Sequence, residues 1–301
     1  MPIRIVDAHH HLWDLSACHY PWLMEKGVPR FFGDPTPIQK NYLVDDLLDD
    51  FDKLSVVKSV HIQVGTAFEY DEVETNWLQA QHEAHSFPSA IVAFCDLTAQ
   101  DVNRRLERHK KASAVRGIRQ ILGRSSKEDA LTGAGSLIAD PRFGEGLQHL
   151  AASGLSFDLQ LVPAQMAEAA ELFAQHPNLP VALCHAGSLS DFSDAGRALW
   201  EEGLRALSSL PNVMCKVSGL GMFNPSWTAD SARRQFDYVA DCFGPSRIAF
   251  GSNFPVDKLY MSYSRIWEHY FKLIEGFSEY EHAEMCSGTA DRFYKIEVEL
   301  L

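Results

Sequence analysis

Eight short apolar runs, separated by amphipathic stretches, restrict the fold of this chain more than any other feature. They cover residues 3–9, 57–65, 90–97, 114–122, 156–162, 180–187, 213–220 and 248–255. Apolar runs of this length bounded by turn residues read as buried strands. The stretches between them read as helices. Leu43, Leu47, Phe51 and Leu54 fall on one helical stripe, with Asp45, Asp46, Asp49 and Asp50 on the wet face. Asp140-Pro141 opens another helix in cap-then-proline order, and Gly244-Pro245 closes one. Strands alternating with helices predict a parallel β/α architecture. Eight is the number that closes a barrel, and 301 residues suit one. An open doubly wound sheet would bring a glycine-rich phosphate turn after its first strand. Here that position holds His9, His10 and His11. The expected fold is therefore a (β/α)8 TIM barrel, one domain over residues 1–301, with its site at the C-terminal ends of the strands.

The polar residues at those ends are the candidates for chemistry. On a strand, successive side chains turn to opposite faces, so Asp7, His9 and His11 are expected on one face and His10 on the other. An H-x-H step can hold one divalent ion or one polarised carbonyl group. Strand two offers His61 and Gln63, and strand five Asp158 and Gln160. Strand four offers Arg116 and Arg119, three apart, so both cannot face the lumen. Strand six offers His185, strand seven Lys216 and Ser218, and strand eight Asn253 with Asp257 just beyond. A single strand-end His or Gln is more often part of a satisfied polar layer. Lys216 is harder to place that way, because an ammonium on an apolar strand needs an anion or water. Their coincidence is the signal. Two loops are expected to cover the mouth: residues 18–41, with Tyr20, Trp22, Phe31 and Phe32, and residues 221–227, with Met222, Phe223 and Trp227. The polar, glycine-rich stretch 123–136 is expected only to be mobile.

The formal charge of −13 argues against nucleic acid or an anionic membrane as a partner and leaves a small-molecule substrate. The basic pairs Arg104-Arg105, Lys110-Lys111 and Arg233-Arg234 sit in helix patterns and read as solvated faces. Six scattered cysteines with no C-x-x-C step predict reduced thiols in a cytoplasmic protein. No apolar run approaches the roughly 20 residues of a membrane helix.

Six segments carry a resemblance that spans nearly the whole chain. They are Asp7-Ala8-His9-His10-His11-Leu12-Trp13-Asp14, Arg116-Gly117-Ile118-Arg119, Phe157-Asp158-Leu159-Gln160, His185-Ala186-Gly187, Lys216-Val217-Ser218-Gly219-Leu220 and Gly251-Ser252-Asn253-Phe254-Pro255. In this order they resemble the amidohydrolase superfamily, in the branch that includes pyrone-dicarboxylate lactonase and sugar lactonases. The resemblance implies a (β/α)8 barrel that hydrolyses a ring ester or amide; some relatives are decarboxylases. It matches His9 and His11 to the family's H-x-H pair and His185 to its sixth-strand histidine. It matches Arg119 to an arginine that binds a substrate carboxylate, with Arg116 as the alternative. Asn253 stands where the family usually has the aspartate that activates water. An amide takes no proton at neutral pH and is a poorer ligand for a borderline cation.

Two routes stay open: one divalent ion, zinc or manganese, on His9, His11 and His185, or metal-free polarisation of the carbonyl by the histidines. The expected activity is that of a lactonase, with oxyanion charge met by imidazolium, ion or Lys216. Asp257 is the first candidate base, with His61 and Glu74 behind it. His61, Gln160, Trp22 and Phe223 complete the expected substrate contacts. The alternatives are a metal-dependent decarboxylase or hydratase, which Asn253 disfavours, and a non-catalytic binding barrel, which Asn253 favours.

Overall fold

A computed structural model describes residues 3–297. Its eight strands are β1 (Ile5–His10), β2 (Val56–Ile62), β3 (Ala90–Ala93), β4 (Val115–Ile118), β5 (Ser156–Leu159), β6 (Val181–Leu183), β7 (Val213–Val217) and β8 (Ile248–Phe250). They form one sheet in sequence order, and every pairing is parallel. One long helix follows each strand: α1 (Val44–Phe51), α2 (Asp71–His85), α3 (Val102–His109), α4 (Pro141–Ser153), α5 (Met166–Ala174), α6 (Asp194–Ser208), α7 (Ala229–Phe243) and α8 (Tyr263–Ile274). The ends of β1 and β8 are joined by His11 N–H to the Phe254 carbonyl and by Asn253 N–H to the His9 carbonyl, each at 2.7 Å. This is the (β/α)8 barrel.

Alternation along each strand divides the core in two. Val60, Ile62, Ala90, Val92, Ala182, Met214 and Ala249 fill the barrel interior, where small side chains let the facing strands approach. Ile91, Phe157, Leu159, Val181, Leu183 and Phe250 face the helix layer. The helix Thr289–Tyr294 plugs the end opposite the site and inserts Ala290 and Tyr294 into the interior cluster.

Strands β2 to β8 are shorter at their C-terminal ends than the apolar runs suggest. β8 stops at Phe250 because the chain must pass tightly over β1: a Cβ on Gly251 would lie 2.6 Å from His9 Cβ, and Asn253 has φ 56°. The face pattern on β1 is also corrected. The register shifts between Asp7 and His10, so strict alternation fails there. Asp7 does not join His9 and His11. It accepts hydrogen bonds from Ser252 N–H, Ser252 Oγ–H and Tyr263 Oη–H, the last from α8. Among the described residues no helix is long and apolar enough to cross a membrane.

Candidate active site

A cavity opens to solvent at the C-terminal ends of the strands. Its polar lining is His11, His185, Asn253, Gln160, Arg30, Arg119 and Arg124. Trp22, Phe31 and Phe32, from the first cover loop, form its aromatic wall.

The floor is built by the end of β1. His11 Nδ1 lies 2.7 Å from the Ile62 carbonyl. A carbonyl only accepts, so Nδ1 carries the proton and the neutral ring keeps its lone pair on Nε2. That Nε2 faces Asn253 Oδ1 at 3.3 Å. Asn253 Nδ2 donates to Asp257 Oδ1 at 2.9 Å, which turns the amide oxygen towards His11. Two acceptors therefore face each other at the cavity floor with no donor between them. His9 lies alongside, its ring 5.1 Å from that of His11 and 4.6 Å from that of His185. Both its ring nitrogens are buried without a partner. His185 shares one proton with Ser218, at 3.0 Å from Nδ1 to Oγ.

Burial keeps these rings neutral. It pushes His9 and His185 well below the ordinary imidazole value, helped by Lys216 beside His9 and by Arg119 beside His185. It pushes His11 down to about 3, with Arg119 adding to the shift. Asp257 moves the other way, up to about 7, because its carboxyl is buried. It does not line the cavity. Its second oxygen accepts from Gly221 N–H at 3.3 Å. Asp257 thus reaches the floor only through Asn253.

The expected residues divide into those the fold brings together and those it does not. His11, His185, Asn253, Arg119, Gln160 and Trp22 meet at the cavity, with His9 packed behind them. Arg119 donates to the Gln63 carbonyl and to Gln160 Oε1, the latter at 2.8 Å. Arg116 is corrected: it faces the opposite end, donating to the carbonyls of Ser113 at 2.5 Å and Lys295 at 3.4 Å. The three-residue step from Arg119 forces that choice. Lys216 is corrected as well. It is fully buried and paired with Asp158, so its ammonium is not free to meet an oxyanion. His61 does not line the cavity; its Nδ1 accepts from Leu12 N–H at 3.0 Å. Phe223 packs behind the cover, its ring 6.0 Å from Phe31.

Arg30 and Arg124 were not among the expected residues. Both lie in loops bordering the mouth, and their signal was a basic residue in an otherwise acidic chain at a strand-end loop. The stretch 123–136 is more than a mobile connection. Its helix Ser126–Thr132 carries Glu128, which binds Arg30 Nη2 at 2.5 Å and Phe31 N–H at 2.9 Å. This clasp holds the aromatic wall in place.

The donors have the right chemistry for a divalent ion, since His9 offers a buried unpartnered nitrogen and His11 a lone pair. Their arrangement does not match it. Among the described residues no three His, Cys, Asp or Glu side chains converge as a metal-holding group, and strand eight supplies an amide in place of a carboxylate.

A family model described as Amidohydrolase matches residues 6–296. The uncharacterized protein y4mH of Sinorhizobium fredii is 38% identical over 295 residues, covering 98% of this chain and 99% of that one. L-fucono-1,5-lactonase of Burkholderia multivorans is 27% identical over 308 residues, covering 97% and 96%. A crystal structure of an amidohydrolase from Burkholderia multivorans with bound zinc superposes with a TM-score of 0.81 at 26% identity, covering 97% of this chain and 99% of that one.

Proposed function

The chain belongs to the amidohydrolase family, and from that premise we propose that it is a lactonase, opening the ring ester of a small carboxylated or sugar-derived substrate. The observation that carries this reading is the pair of facing acceptors, His11 Nε2 and Asn253 Oδ1, at the cavity floor. A water on the cavity side of the pair donates one proton to each. Its own lone pair then points at a carbonyl carbon above.

The water oxygen attacks that carbon, and His11 Nε2 takes the proton. A neutral imidazole serves as the base, and the negative charge growing on the substrate offsets the burial that otherwise disfavours imidazolium. The oxyanion is met by His185 Nε2–H, with Ser218 donating to Nδ1, and by the unpartnered Arg119 Nε–H. Collapse breaks the ring C–O bond. The leaving oxygen recovers the proton from His11, and a hydroxy acid departs. His9 packs the two reacting rings into position. Asp257 is a positioning residue that sets the orientation of the Asn253 amide.

The test is hydrolysis of a panel of five- and six-membered lactones by the purified protein, before and after chelation. Turnover that survives chelation is expected. Turnover lost on chelation and restored by zinc or manganese would put an ion on His9, His11 and His185 and overturn the water-activating role of the His11–Asn253 pair. No turnover of any lactone would overturn the activity.

A further inference from the structure

Three guanidinium groups line the cavity, and they are not equivalent. Arg119 is committed to the fold, since it holds the Gln63 carbonyl and the Gln160 side chain. Arg30 is committed to the cover, paired with Glu128 at 2.5 Å and lying over the Trp22 ring at 5.8 Å. Arg124 has neither commitment. The acidic oxygen paired with it, on Glu128, is 3.8 Å away, beyond hydrogen-bond reach. Its guanidinium donates no hydrogen bond to any described residue.

The position of Arg124 is nevertheless built. Its backbone N–H is held by both Asp129 oxygens, at 2.9 and 3.0 Å, where the loop turns into the helix Ser126–Thr132. Glu128, the carboxylate that could neutralise it, is already occupied by Arg30 and the Phe31 N–H. Burial and the neighbouring Arg30 pull its pKa down to about 10, so its charge is held at a disadvantage that an anion would relieve. The rings of Trp22, Phe31 and Phe32 line the same cavity, with Trp22 beside Arg124 against Gly65.

We infer that Arg124 anchors an anionic group on the substrate, so that this cavity takes a carboxylated ring ester in preference to a neutral sugar lactone. The identification of the ring ester rests on the lactonase reading; the anion site does not. A carboxylate meets the planar guanidinium through two parallel hydrogen bonds. The flat face of the ring lies on the aromatic wall, which directs the ester carbonyl towards His11 and His185. Arg119, to which the family resemblance assigns the carboxylate, becomes a positioning residue for Gln160 and a donor to the oxyanion.

The test uses benzoate and benzyl alcohol as ring-sized probes, with and without a carboxylate, measured by calorimetry at low salt. Wild type and Arg124→Gln are compared, with folding checked by circular dichroism and melting temperature. Benzoate is expected to bind wild type and to weaken by about 10- to 100-fold in the variant, the loss expected for hydrogen bonds to a charged group. Benzyl alcohol binding should not change. In turnover, Arg124→Gln should raise KM for a carboxylated lactone by a similar factor, and by a far smaller one for an uncharged lactone of the same ring size. Equal benzoate affinity in wild type and Arg124→Gln would overturn the assignment. So would loss of benzoate binding in Arg119→Gln but not in Arg124→Gln. Benzoate binding that depends on Arg124, with no lactone hydrolysed, would refute the lactonase reading and leave the anion site standing.

Discussion

Two polar layers lie one above the other inside the barrel, built from similar residue types and treated oppositely by the fold. In the lower layer every group is matched. Lys216 pairs with Asp158 and lies 3.4 Å from the Ala8 carbonyl, and Tyr294 Oη–H donates to both Asp158 oxygens at 3.0 Å. In the upper layer the matching stops. His9 has two bare ring nitrogens, Arg119 a bare Nε–H, and His11 faces Asn253 acceptor to acceptor. A buried polar group without a partner costs about 1–3 kcal/mol. At the cavity floor a water or substrate can relieve that cost. Matching, and not residue type, separates the two layers.

The sharpest way to break this comparison is His11→Ala. If the upper layer is the reacting one, turnover should fall about 10²- to 10⁴-fold, the range of general acid–base contributions. The variant should still fold, with only a modest fall in melting temperature from the void and the lost bond to the Ile62 carbonyl. A large fall in stability with turnover intact would reverse the roles of the two layers. Next in size is Lys216→Ala. It leaves Asp158 as a fully buried charge without its cation, and should destabilise the protein by about 3–5 kcal/mol in denaturant unfolding. If that variant folds with near wild-type stability and loses only kcat, Lys216 belongs to the chemistry after all.

The barrel was legible because hydrophobic periodicity encodes it directly. Each strand's apolar run and each helix's stripe is a local pattern, and neither depends on distant partners. His9, His11 and His185 were legible for the same reason, since each closes such a run. Lys216 was misplaced because its partner Asp158 lies 58 residues away and sequence spacing says nothing about that meeting. Asp7 was misplaced because a register shift on β1 cannot be read from alternation. Arg30 and Arg124 were missed because loops carry no periodicity, and the clasp through Glu128 that gathers them spans 98 residues.

A smaller effect sharpens the boundary between the layers. Asp257 lies outside the cavity and orients Asn253, so Asp257→Asn should lower kcat by about tenfold, roughly 1.4 kcal/mol, with little change in KM. Its stability signature is separable by pH. The folded-state pKa is raised from 3.8 to about 7, so the folded protein retains a proton that the unfolded chain releases across that window. Wild-type stability from this group is therefore lost as pH rises from about 4 to about 7. Asparagine has no proton to lose. The difference in melting temperature, variant minus wild type, should thus move in the variant's favour between pH 4 and pH 8. A flat difference would mean that Asp257 titrates as an ordinary carboxylate, and its buried contact with Asn253 would lose its significance.

The smallest expected effect tests the far end of the barrel. Arg116 and Arg119 sit three residues apart on one short strand and its exit, and both were candidates for the same carboxylate. The structure sends Arg119 to the cavity and Arg116 to backbone carbonyls at the plugged end. Those bonds are near solvent, where water replaces them at little loss. Arg116→Ala should therefore leave kcat and KM unchanged and shift stability by no more than about 0.5 kcal/mol. A raised KM for an anionic substrate would show that β4 delivers the other arginine to the mouth. The strand would then have to be rotated, and the face assignments of Gly117 and Ile118 would reverse with it.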